Sequence, residues 1–164
     1  MIEHTFNVAK KSKYLDKIIV STESHIIKKK IEKRIGKSNI IMRPKYLSKP
    51  NVGGTKVVTH LLNKRKNFDY IILLQPTSPL RETKDIDKSI LKMQKNKFDS
   101  IVSIYRSKKL KKFPVKIING FVQKIKKVKK STKKNFYLNG AIYIAKVKKL
   151  LKNNTFFSSN TGYY

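Results

Sequence analysis

The chain holds 164 residues, 39% of them apolar and 10% aromatic, which suffices for one domain with its own core. Without a single cysteine it can form neither a disulfide framework nor a thiolate metal site, and a cytoplasmic setting is expected. The formal charge of +31 invites a polyanion partner, but among its 40 basic side chains the arginines are Arg34, Arg43, Arg65, Arg81 and Arg106, so forked recognition of phosphates and bases is scarce.

Lysine excess beside scarce alanine (Ala9, Ala141 and Ala145) reads as a compositional bias carried on the surface, and nucleic-acid binding is expected to be non-specific if it occurs. Residues 1–16 carry polar and charged groups throughout with no apolar leader core, and no stretch reaches the ~18 apolar residues of a membrane span. A soluble protein with no membrane partner is expected.

Five short β-branched runs punctuate the chain: KIIVST (17–22), NIIM (39–42), YIILLQ (70–75), SIVSIY (100–105) and AIYIAK (141–146). They lack strict polar alternation, as strands covered on both faces do. Between them, SHIIKKKIEKRIG sets Ile26, Ile27, Ile31 and Ile35 near helical spacing and stops at Gly36, and TKVVTHLLNKR groups Val57, Val58, Leu61 and Leu62. ETKDIDKSILKMQ opens with acids, closes with lysines and buries Ile86, Ile90 and Met93. Alternating strand and helix predicts an α/β fold: a three-layer, mostly parallel sheet with crossover helices. Segment 108–135 breaks the rhythm; it is basic, surrounds Asn119-Gly120 and predicts a β-hairpin excursion from the main sheet.

In open α/β sheets ligands bind outside the carboxyl ends of strands, and LLQPTSPLR (73–81) begins at such an end. Gln75 offers amide donors and an acceptor, Thr77 and Ser78 offer hydroxyls, and Pro76 and Pro79 stiffen the backbone that holds them, which suits a polyhydroxylated ligand. The same residues also serve simply to end a strand and cap a helix. His4, His25 and His60 stand apart from any second ligand at useful spacing and are assigned no chemistry.

LLQPTSPLR, with RPKYLS (43–48), LNGAIYI (138–144) and TFFSSNTGYY (155–164), resembles the CMP-sialic acid synthetase (acylneuraminate cytidylyltransferase) family. FNVAKKSKYLDKIIVSTES resembles that family's first helix and second strand, so the resemblance spans essentially the whole chain as one cytidylyltransferase-like domain, residues 1–164. It implies a nucleotide-diphospho-sugar transferase-like fold and transfer of CMP from CTP to a nonulosonic acid, with release of pyrophosphate. Gln75, Thr77 and Ser78 would contact the sugar acid, Arg43 would lie at the cytidine, Asn139 would hold a turn, and Tyr143, Phe156 and Phe157 would wall the sugar site. The resemblance also implies a homodimer built through segment 108–135.

Several family features are missing. The Gly-, Ser-, Lys- and Arg-bearing loop that wraps CTP would precede Met1, and the aspartates that hold Mg2+ would follow Tyr164, so the domain is expected to be incomplete at both ends. Asp85 and Asp87 imitate that acidic pair, but their place at a helix start fits a dipole role, worth ~0.3–1 kcal/mol, better than a metal role. No catalytic or metal residue is assigned. Tyr137 stands where the family commonly carries arginine, with Lys133 or Lys134 as a candidate replacement. The alternatives to an active transferase are an inactive sugar-binding remnant and a basic polyanion-binding protein.

Overall fold

The computed structural model describes residues 1–109, 112–125 and 135–164. Lys133, Lys134 and most of the lysine run 124–134 lie outside the described residues. In chain order the elements are α1 (Ile2–Lys10), β1 (Val20–Thr22), α2 (His25–Ile35), β2 (Ile40–Met42), α3 (Gly54–Lys64) and β3 (Tyr70–Leu73). They continue with α4 (Thr83–Lys95), β4 (Ser100–Ser107), β5 (Pro114–Ile118), β6 (Phe121–Lys124), β7 (Asn135–Lys146), α5 (Val147–Asn153) and β8 (Thr161–Tyr163).

Local chemistry sets several boundaries. Ser24 caps α2 by accepting from the Ile27 amide at 3.3 Å, and Gly36 ends that helix at φ 76°, where a side chain would be strained. α4 starts with a reciprocal box in which the Glu82 amide donates to Asp85 at 2.8 Å and the Glu82 side chain serves the amide at the third helical position. Ile86, Ile90 and Met93 are buried as their spacing predicts. On α2, by contrast, Ile31 is buried completely while Ile26 is 80% exposed, because the helix rests on a narrow two-stranded sheet.

The α/β layering is as expected, and the sheet is mixed. β1–β2 and β4–β8 are parallel, whereas β7 runs antiparallel to β3, β4 and β5. β7 is long enough to serve different partners with its two halves: residues 143–146 pair with β3 and residues 136–137 pair with β5. The hairpin β5–β6 turns at Asn119 and Gly120, at φ 49° and 82°, and it extends the main sheet through β7 instead of leaving it. α5 and β8 have no counterpart among the predicted elements.

Alternation along β3 shows the layers. Ile72 and Leu74 pack with Ala9, Ile86, Ile90 and Met93 beneath α1 and α4, while Ile71 and Leu73 pack with Val58, Leu61, Leu62 and Leu150 beneath α3 and α5. Among the described residues, no helix is long and apolar enough to cross a membrane.

Candidate functional site

The loop after β3 is held from below by Arg81. Its guanidinium, 4% exposed, donates to the carbonyls of Gln75 at 3.0 Å and Ala141 at 2.8 Å and to the Thr5 hydroxyl at 3.0 Å. One side chain therefore ties together the loop, β7 and α1. Burial draws the guanidinium pKa below its ordinary value, partly offset by Asp85, yet an arginine this basic remains charged. Sequence reasoning missed Arg81 as a site-forming residue; its signal was a lone cation closing an otherwise neutral loop.

The carboxyl end of this loop is closed by Ser78 and Arg81 amide bonds to the Gln75 and Ser78 carbonyls at 3.4 and 3.3 Å. That leaves Thr77 exposed and Gln75 and Ser78 half-buried. The Gln75 amide lies over Gly140: a Cβ at Gly140 would meet Gln75 Oε1 at 2.5 Å, and Gly140 has φ 76°. Two motifs separated by more than sixty residues thus form one surface.

Asn139, which the resemblance set in a turn, sits with Gly140 in a bulge of β7. Opposite them the β4–β7 register slips between Val102 and Ile104. Ser103 fills the gap: its hydroxyl donates to Asn139 Oδ1 and accepts from the Ile142 amide at 2.8 Å, while Asn139 Oδ1 also accepts from the Ala141 amide at 3.0 Å. The bulge aims Asn139 outward and returns Ile142 and Ile144 to the core.

Beyond the bulge, the Tyr143 and Phe156 rings meet at a tilt of 48°, 5.4 Å between centroids. Phe156 is 4% exposed and belongs to the core with Val58 and Leu61, so it supports the site from behind. Phe157 is half-buried with Lys124 Nζ 4.3 Å above its ring. Burial pushes the Tyr143 phenol up, which keeps it neutral. Tyr137 is fully buried against Tyr105 at 5.8 Å, and its hydroxyl has no hydrogen-bond partner.

Arg43 stands beyond β2, donating to Ser48 Oγ at 2.9 Å and to the Ser21 carbonyl, and pairing with Glu23 at 2.6 Å. Hydrogen bonds from its own amide and Ser48, with the Arg43 charge, hold the Glu23 carboxyl below its ordinary value against the effect of burial. Arg43, Gln75 and Thr77 line one cleft of about 1320 Å3, whereas Asn139, Tyr143, Phe156 and Phe157 lie outside its lining. The predicted residues therefore divide into a cleft group and a β7 group that meet at Gln75 and Gly140.

The acids of α4 are occupied. Asp85 caps the helix and accepts from the Tyr164 hydroxyl at 3.0 Å, and Asp87 accepts from the Ser12 hydroxyl. Among the described residues, no three His, Asp or Glu side chains gather as a metal site. His4 and His25 stand exposed, and burial with the Lys64 and Arg43 charges lowers the His60 pKa and keeps it neutral.

A loop of amide and hydroxyl groups at the carboxyl end of a strand, braced from a neighbouring strand, lies where open α/β sheets bind their ligands. The fold is also that of a solved CMP:2-keto-3-deoxy-manno-octonic acid synthetase complexed with CTP, with TM-score 0.71 at 14% identity, covering 93% of this chain and 65% of that one. The family model described as cytidylyltransferase matches residues 1–163, and the chain belongs to that family, whose members are nucleotidyltransferases. It is 27% identical to the N-acylneuraminate cytidylyltransferase of Escherichia coli O18:K1:H7, over 96% of this chain and 38% of that protein. It is 29% identical to the CMP-N,N'-diacetyllegionaminic acid synthase of Legionella pneumophila, over 98% of this chain and 73% of that protein.

Proposed function

We propose that the chain takes part in transfer of CMP from CTP to a nonulosonic acid of the sialic type, and that the Gln75 loop with the β7 bulge receives the sugar. In that reaction the sugar's anomeric hydroxyl attacks the α-phosphorus of CTP, loses its proton to solvent, and displaces pyrophosphate by cleavage of the bond to the bridging oxygen. The carrying observation is the union of the two resembling motifs: Gln75 lies on Gly140, and Arg81 bonds both the Gln75 and Ala141 carbonyls. Gln75, Thr77, Ser78 and Asn139 then present amides and hydroxyls to a polyol, with Tyr143 and Phe157 beside them. The names of the bacterial relatives, acting on N-acylneuraminate and N,N'-diacetyllegionaminic acid, support a nine-carbon acidic sugar over a shorter one.

Arg43, which lines the same cleft while holding Glu23, Ser48 and the Ser21 carbonyl, is the residue assigned to the cytidine. Among the described residues no three acids gather to hold a magnesium ion; of the carboxylates lining the cleft, Asp16, Glu23 and Asp69, Glu23 is paired with Arg43, and Asp85 and Asp87 of α4 lie outside the lining. No step is assigned to such a metal here. A CTP-consuming reaction belongs in the cytoplasm, and a homodimer through the β5–β6 hairpin is supported by the exposure of Phe113 (68%) and Ile118 (44%).

The test is pyrophosphate release from CTP on addition of N-acetylneuraminic acid, in wild type and Gln75→Ala. Sugar-dependent release falling about 10- to 100-fold in the variant, the loss of one or two hydrogen bonds, is expected. A cooperatively folded chain that neither binds the sugar nor releases pyrophosphate would overturn the proposal.

A further inference from the structure

The chain's charge of +31 does not extend into the cleft. The lining sets Asp16, Glu23 and Asp69 against Lys17, Arg43 and Lys49, as many acids as bases. Such a lining draws no triphosphate by its net charge. Within it Arg43 and Glu23 act as one unit. Arg43 Nη2 lies 2.6 Å from Glu23 Oε2, and that oxygen is buried. Hydrogen bonds from its own amide and from Ser48, with the Arg43 charge, keep the carboxyl ionised at neutral pH. To a ligand the pair is a dipole in place of a cation.

The guanidinium is also fixed in its plane. Nε donates to Ser48 Oγ at 2.9 Å and Nη1 to the Ser21 carbonyl, so all three nitrogens are held, from β1 on one side and from the segment after β2 on the other. The Arg43 amide adds a backbone bond to the Thr22 carbonyl at 2.9 Å. Of the five N–H donors of an arginine, one on Nη1 and one on Nη2 then remain. With the side chain 20% exposed and lining the cleft, these are the groups that Arg43 offers a ligand.

Two neighbouring donors match two neighbouring acceptors. O2 and N3 of cytosine are such a pair, whereas uracil carries an N–H donor at N3. A phosphate also accepts from both donors, but it meets the Glu23 carboxylate as a like charge. We propose that Glu23 is a positioning residue that sets nucleotide specificity: by fixing the plane of Arg43 and cancelling its charge, it directs the two remaining N–H groups to O2 and N3 of cytosine and away from the triphosphate. This inference rests on the reading of CTP as the substrate. Uracil sets donor against donor and leaves an N–H unsatisfied, so it is rejected about tenfold or more.

The test is equilibrium titration of the full chain with cytidine, CTP and UTP, in wild type, Glu23→Gln and Glu23→Asp. Wild type is expected to bind CTP about tenfold or more tighter than UTP. Glu23→Gln is expected to weaken cytidine and CTP by one common factor, about tenfold, and to erase the preference over UTP, with partial recovery of both in Glu23→Asp. A Glu23→Gln chain that binds CTP more tightly with cytidine unchanged overturns the proposal, because Arg43 then serves the phosphates. An unchanged ratio of CTP to UTP in that variant overturns it as well. Should Glu23→Gln unfold, wild type still decides: equal binding of CTP and UTP, with sugar-dependent pyrophosphate release intact, overturns this inference alone. A folded wild type that binds neither nucleotide overturns the transferase reading along with it.

Discussion

β4 and β7 each have strands on both sides, and their apolar residues Ile101, Val102, Ile142 and Ile144 fall to 1% exposure or less. β1 and β2 share a three-residue ladder, and the strand pattern beginning at Lys17 is realised only from Val20. The difference teaches where rigidity has been placed. The Gln75 loop hangs from the closed half through Arg81, whereas Arg43 hangs from the short ladder. A half-paired strand has fewer ladder bonds and fewer packed neighbours, so local opening belongs to the β1–β2 side.

Breaking the brace of the closed half gives the largest expected effect. Arg81→Met orphans two carbonyls and the Thr5 hydroxyl, and denaturant unfolding should show a loss of about 3 kcal/mol or more, since hydrogen bonds to charged groups contribute ~1.5–3 each. Next, equal truncations should cost unequally. Val102→Ala is expected to lose about 2–3 kcal/mol and Val20→Ala about 1, because the first leaves a cavity in a packed sheet and the second borders an existing cleft. Equal losses would erase the contrast between the halves.

A third test concerns Asp99, which accepts from Lys146 at 3.0 Å and Lys149 at 3.2 Å where β4 meets α5. Burial raises its pKa, but the two lysine hydrogen bonds and charges outweigh that and hold it below the ordinary 3.8. Its contribution is therefore whole above the unfolded value and lost as pH falls through the depressed folded one. Asp99→Asn should cost about 1–2 kcal/mol at neutral pH and flatten stability in that acid window. Smallest is Tyr164→Phe, about 1 kcal/mol. Burial and the Asp85 bond push this phenol from 10.0 up to about 12, so its contribution is present below pH 10.0 and lost as pH rises through about 12. An alkaline ultraviolet titration of wild type against the variant reads it directly.

Periodicity made the crossover helices legible, because Ile86, Ile90 and Met93 encode their face in spacing alone. Strand partners were less legible. Nothing local in LNGAIYI distinguishes a bulge from a turn; the choice was made by Ser103 on another strand, which offers Asn139 a partner inside the sheet. The same holds for Arg81, whose partners lie on β7 and α1, and for Phe156, whose burial depends on α3 and α5. α5 and β8 are short, and their sequence signal is weaker than the packing that orders them. Gln75, Thr77 and Ser78 stand out as candidates in the sequence because their polarity interrupts an apolar run at a strand end.

The most direct measurement is hydrogen exchange across the chain with and without saturating N-acetylneuraminic acid. Slowed exchange in residues 75–81 and 139–143, with residues 20–24 and 43–48 unchanged, is the expected result and places the sugar on the closed half. Slowing confined to residues 20–24 and 43–48, or none in a folded chain, would contradict that placement.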